Sequence, residues 1–222
     1  MVIYDARSWA AAHANRFKGG GLENTKYYTS CELQFCDIDN IHAVRDAITE
    51  MYKLGQTPGV LTSPQRWNTA LEATNWLQLS SNILQAVNGI VEKILVQKCN
   101  VLVHCTDGWD RTAQLCGLAQ ILLDGRFRTI RGFQALVEKD WLAFGHMFAR
   151  RMGHHNKDHK DDQRSPIFIQ FLDLVRMLIV QMPAMFEFSE RMLAFIAHEV
   201  YTCKYGTFLC NSQRVKKPSV TF

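Results

Sequence analysis

The sequence predicts an α/β fold, a central sheet flanked by helices, and two observations carry that expectation. Val101-Leu102-Val103 is a short β-branched run that leads through a tight turn into 113–123, an apolar stretch long enough for a helix. Elsewhere in the 222 residues, apolar positions recur mostly at helical spacing, with a few short strand-like runs between them.

Taken in order, 2–4 and 33–36 read as short strands, with Gly19-Gly20-Gly21 as a turn between them. The triple glycine lacks the following Lys-Ser/Thr of a nucleotide loop, so it reads as a turn or the wall of a cleft. Helices are expected over 40–54, over 67–98 with a break, and over 113–123, 130–144, 167–182 and 187–203. In the fifth of these, Ile167, Phe168, Phe171, Leu172, Leu174, Val175, Leu178 and Ile179 share a helical face and are expected in the core. His146, His154, His155 and His159 stand among Lys157, Asp158, Lys160, Asp161 and Asp162, which reads as a solvated loop between helices; their spacing matches no zinc cage, and no metal is expected.

Composition fits one domain with one substantial core: 47% of residues are hydrophobic and 21% charged. No apolar run reaches membrane-spanning length and the first residues lack a secretion signal pattern. Seven cysteines (Cys31, Cys36, Cys99, Cys105, Cys116, Cys203 and Cys210) at irregular spacings are expected to be free thiols in a reducing compartment. The net charge is +4, with Arg126, Arg128 and Arg131 in one group and Arg150, Arg151, Lys157 and Lys160 in another. Such groups beside a cleft attract anionic substrates and acidic membrane surfaces. No aromatic residues interleave with them in a nucleic-acid-binding motif, so nucleic acid is not an expected partner.

The segment His104-Cys105-Thr106-Asp107-Gly108-Trp109-Asp110-Arg111-Thr112 carries the chemistry. A strand delivers Cys105 into a turn at a helix N-terminus, where free backbone N–H groups and the helix dipole hold anions. The loop amides from Thr106 to Arg111 are therefore expected to cradle a phosphate. The same field and a nearby guanidinium favour thiolate over thiol, the form that acts as a nucleophile. Arg111, six residues after Cys105, has the planar fork that grips two phosphoryl oxygens. His104 is read as ordering the loop through hydrogen bonds.

That segment resembles the signature of the myotubularin-related lipid phosphatases, which usually has Ser where this chain has Thr106. The resemblance extends through Ile3-Tyr4-Asp5-Ala6-Arg7, Lys18-Gly19-Gly20-Gly21-Leu22-Glu23-Asn24, Asp37-Ile38-Asp39-Asn40, Arg128-Thr129-Ile130-Arg131-Gly132-Phe133, Phe144-Gly145-His146 and Arg164-Ser165-Pro166-Ile167-Phe168. It covers residues 1–213 as the phosphatase domain and leaves 214–222 as a tail. It implies the cysteine-dependent phosphatase fold, without the N-terminal part of the catalytic domain and the pleckstrin-homology-type domain that precede this segment in the family.

The resemblance further implies a phosphoinositide 3-phosphatase needing no cofactor. Its substrates would be phosphatidylinositol 3-phosphate and phosphatidylinositol 3,5-bisphosphate. Its place would be in the cytoplasm, peripherally on endosomal membranes, as a homo- or hetero-oligomer with family members. Cys105 would attack phosphorus, Arg111 and the loop amides would stabilise the charge, and Asp110 would protonate the leaving inositol oxygen. Asp107 would orient substrate or water. Asn15 and Asn40 match family positions that contact the headgroup, and Trp109 would line the cleft with Thr106 and Gly108. One departure concerns the second phosphate: the family's Phe-Gly-His is normally followed by a basic residue, and this chain has Met147. The competing readings are a protein tyrosine or dual-specificity phosphatase and a silent adaptor of an active relative. The retained Cys105, Asp110 and Arg111 argue against the adaptor.

Overall fold

A computed structural model of the chain describes residues 1–16, 21–59, 63–154 and 161–211. Gly19 and Gly20, His155, His159, Lys157 and Lys160, and the tail 214–222 lie outside the described residues.

Among the described residues, three strands form one parallel sheet in the order β2-β1-β3: β1 Val2–Asp5, β2 Glu32–Phe35 and β3 Val101–His104. All four residues of β1 are buried, as a strand flanked on both edges and covered on both faces must be. The register sets Asp5 level with Phe35 and with His104, so the carboxyl ends of the strands meet at one rim. In open parallel sheets that rim is where ligands bind.

The helices are α1 Trp9–Arg16, α2 Ile41–Gly55, α3 Pro64–Ala73, α4 Trp76–Leu95, α5 Arg111–Leu123, α6 Ile130–Leu136, α7 Phe148–Met152, α8 Ile167–Gln181 and α9 Glu190–Thr202. The break expected within 67–98 falls at Asn75, whose φ of 62° is left-handed and cannot continue a helix. Past Leu136, α6 widens into a π-helical stretch, Val137–Ala143. α5 buries residues on nearly every side, among them Leu115, Leu118 and Ile121, and packs against α4, α8 and β3. The Gly117 position lets α8 come close, since a Cβ there would lie 3.0 Å from the Phe171 ring. Below, Trp141, Phe148, Phe168 and Phe171 pack as one aromatic cluster. The eight positions expected on the core face of α8 are all buried.

Two expectations need correction. α1 forms in a segment to which no element was assigned, and the stretch around His146, which includes α7, is not a solvated loop. His146, Phe148, Arg151 and Met152 are buried, and His154 bonds to the Val200 carbonyl at 2.8 Å. The arginine group at 126–131 is also partly internal: Arg128 donates to the carbonyls of Ile121 and Leu122, closing the C-terminus of α5. All seven cysteines are free.

Candidate active site

β3 ends at His104, and the chain turns from Cys105 to Asp110 before α5 begins at Arg111. Gly108 makes this turn possible: its φ of 87° is one that side chains rarely adopt. Its N–H then points at the buried Cys105 Sγ, 3.2 Å away.

Arg111 is held in place from two sides. One nitrogen donates to the Ile38 carbonyl at 3.0 Å and the other to Thr106 Oγ1 at 3.1 Å. Asn15 Nδ2, on α1, approaches the same hydroxyl at 3.5 Å. The turn thus brings Cys105, Thr106, Arg111 and Asn15 together. Asn40 stands two residues beyond Ile38, but its side-chain oxygen accepts from the N–H groups of His42 and Ala43 and caps α2. Thr106 and Asp107 are exposed, and Gly108 and Trp109 are half-buried.

Beside Cys105 lies a cavity of about 280 Å³, lined by Arg7, Asn15, Gly21, Glu23, His104, Cys105 and Thr106. Arg7 and Asp5 form a buried ion pair with a 2.6 Å contact, and Arg7 also donates to the Gly21 carbonyl. The guanidinium is held more firmly charged, chiefly by its hydrogen bonds to Asp5 and then by the charges of Asp5, Cys105 and Glu23. His104 Nε2 lies 3.8 Å from Asp5. Arg7, paired with Asp5, thus lines the cavity together with Cys105.

Asp110 is buried and meets two partners, Arg151 at 2.7 Å and His146 Nδ1 at 3.1 Å. Burial alone would raise its pKa. The hydrogen bonds from His146 and Arg151, and then their charges, overcome that and bring it down to about 2. Arg151 also donates to the Gln163 carbonyl, so both the carboxylate and the guanidinium are engaged inside the protein.

The sequence assigned no site role to Arg7 and Asp5, Glu23 or His146, and pointed to Arg151 only as a cation for anionic substrate, not as the partner of Asp110. An Asp-x-Arg at the end of an apolar strand was the available signal for the first pair. For His146, and for the pairing of Arg151 with Asp110, there was none, because burial is not legible in a charged segment.

These residues bring a cysteine thiol, an arginine, loop N–H groups and two carboxylates together at a helix N-terminus, a set of groups with the chemistry that a two-step phosphoryl transfer uses. A family model described as myotubularin-like phosphatase domain matches residues 1–217. The chain is 44% identical to myotubularin of Xenopus laevis over 216 residues, which is 97% of this chain and 35% of that protein. It is 46% identical to phosphatidylinositol-3,5-bisphosphate 3-phosphatase MTMR4 of Mus musculus, and equally to that of Homo sapiens, over 213 residues, 96% of this chain and 18% of each relative. The chain therefore spans about a third or less of the curated relatives it matches.

Proposed function

The chain belongs to the myotubularin-like phosphatase family, and from that premise we propose that it removes the 3-phosphate of phosphatidylinositol 3-phosphate through a phosphocysteine intermediate. The observation that carries this reading is the Cys105 sulfur, held against the Gly108 N–H at the mouth of α5 with Arg111 anchored across the same loop.

In the first step the Cys105 thiolate forms a bond to phosphorus as the bond from phosphorus to the inositol oxygen breaks. Arg111 and the loop amides stabilise the equatorial oxygens, and Arg7 lines the cavity beside Cys105. Asp110 gives its proton to the leaving oxygen, and water then hydrolyses the phosphocysteine, with Asp107 orienting substrate or water. In the free protein Asp110 is ionised, so the acid role requires that the incoming phosphate dianion oppose Arg151 and return a proton to the carboxyl. Asn15 and Asn40, with Thr106, Gly108 and Trp109, are assigned to headgroup binding, Asn40 through the amide nitrogen that its capping role leaves over.

Phosphatidylinositol 3,5-bisphosphate is assigned as the poorer substrate. Met147 is no cation, and Arg151 is engaged with Asp110, which leaves the exposed Arg150 among the described residues of this segment. No helix among the described residues is long and apolar enough to cross a membrane. The family relation supports work at a membrane surface from outside the bilayer, and we assign the endosomal membrane as that surface.

Phosphate release from short-chain phosphatidylinositol 3-phosphate, measured beside a phosphotyrosine peptide, tests the reading. Hydrolysis of the lipid and not the peptide is expected. Cys105→Ser should abolish it while phosphate binding survives on the loop amides and Arg111. Preferential turnover of the peptide would move the protein to the tyrosine phosphatases, and absence of any turnover would move it to the adaptors.

A further inference from the structure

His146 is almost fully buried, and its ring nitrogens have unequal fates. Nδ1 lies 2.9 Å from the Trp109 carbonyl and 3.1 Å from Asp110 Oδ1, the last two residues of the loop before α5. A carbonyl can only accept, so Nδ1 carries the proton. Nε2 is buried without a hydrogen-bond partner among the described residues. The ring stands edge-to-face with Trp141, centroids 4.8 Å apart, and with Phe148 at 4.7 Å. The N–H of Gly145 bonds to the Leu142 carbonyl and that of His146 to the Trp141 carbonyl, so the backbone is fixed as well as the ring.

An imidazole whose only engaged nitrogen is one N–H aimed at this turn is costly to bury unless that N–H has a use. We infer that His146 is a positioning residue: its Nδ1–H, fixed by the aromatic packing, holds the Trp109 carbonyl and the Asp110 carboxyl in the geometry from which Asp110 delivers a proton. Arg151, from α7, bonds to both oxygens of that carboxyl. Arg151 supplies charge, and His146 is the partner that also bonds to the loop backbone. The inference rests on the assignment of Asp110 as proton donor, and its test separates the two.

The variants are His146→Asn, whose amide nitrogen can stand where Nδ1 stands, and His146→Gln, whose amide reaches toward the Nε2 position. His146→Ala completes the set, with thermal unfolding followed for each. Substrates are the short-chain 3-phosphate lipid, which has a poor leaving group, and an aryl phosphate, which has a good one. A misplacement of about 1 Å costs on the order of 100-fold. His146→Ala and His146→Gln should therefore lose about that much lipid kcat, with KM little changed and the aryl phosphate barely affected. His146→Asn should recover most of it. In an Asp110→Asn background, His146→Gln should add little, because the group it positions is gone.

Equal losses on both substrates, rescue by Gln as good as by Asn, or unfolding of the Asn and Gln variants alike would overturn the inference and leave His146 a packing residue. Losses that simply add in the double variant would also overturn it. An Asp110→Asn protein that treats both substrates alike would instead remove the proton-donor assignment. His146 would then stand only if its loss still fell on the lipid alone.

Discussion

Asp110 answers two opposing demands with one carboxyl. Ion pairing holds it ionised in the free protein, and the proposed reaction needs it protonated when the leaving oxygen departs. Asp110→Asn should therefore slow lipid hydrolysis by about 100-fold or more and slow an activated aryl phosphate much less, since a good leaving group needs little protonation. Steady-state kcat on the two substrates checks this, and equal losses would shift the assignment to Asp107. Met147 poses a question of specificity. It stands at the start of α7, half-buried, where it offers no charge to a second phosphate. Met147→Arg should raise kcat/KM for the 3,5-bisphosphate relative to the 3-phosphate by about 10- to 100-fold, the worth of one charge-assisted hydrogen bond. An unchanged ratio on short-chain lipids would show that another cation already serves that phosphate. Asn40 shows how a residue-level reading is incomplete. Its place before an apolar-periodic helix is also that of an N-cap, and that is where its oxygen is bound.

The elements were legible wherever apolar periodicity ran longer than three turns, as in α2, α4, α8 and α9, and in α5 because a largely apolar stretch of helical length follows the turn. α1 was not, because its sequence Trp-Ala-Ala-Ala-His-Ala-Asn-Arg buries only Ala12 and so shows no stripe. α7 was not, because five residues are too few to reveal a period. Yet both carry site residues, Asn15 and Arg151, so the elements hardest to read bear directly on the chemistry. The start of α6 is set by close contact. Thr129 Oγ1 accepts the Gly132 N–H and its own hydroxyl donates to the Arg126 carbonyl, while a Cβ on Gly132 would fall 1.8 Å from that carbonyl oxygen. Backbone cannot yield as a flexible side chain would, so Gly132→Ala should destabilise by about 3 kcal/mol through overpacking. For a chain of this length that lowers the unfolding midpoint by roughly 6 to 12 °C. Calorimetry checks it, and a shift under about 2 °C would show that the turn relaxes at little cost.

Across the whole molecule, hydrogen bonds tie together segments that lie far apart in sequence. Arg45 on α2 donates to the Asp162 carbonyl, Ser165 bonds to the Ile41 carbonyl, and Trp76 Nε1 on α4 donates to Asp173 on α8. Arg151 joins α7 to the start of α5 through Asp110. The strand-loop-helix unit was readable because its residues are contiguous. These ties were not, because each joins segments at least 41 residues apart and leaves no local pattern. The Asp110 tie has a measurable consequence for the pH dependence of stability. Its carboxyl titrates at about 2 when folded, against an ordinary value of 3.8, so the folded state binds its proton less readily than the unfolded chain. The stabilisation is therefore complete above pH ~4 and is lost as pH falls through ~2, and its size is on the order of 2 kcal/mol. Asp110→Asn cannot form the ion pair at any pH and leaves Arg151 buried without its anion, so at pH 7 it should be the less stable protein. Other acidic groups titrate alike in both proteins, which makes the difference between them the informative quantity. Urea unfolding of wild type and Asp110→Asn at pH 7, 5, 4, 3 and 2 should give a gap that holds constant down to pH ~4 and then narrows. A gap that stays flat to pH 2, or that narrows already between pH 7 and 5, would mean that the folded carboxyl is not held in its ionised form by His146 and Arg151.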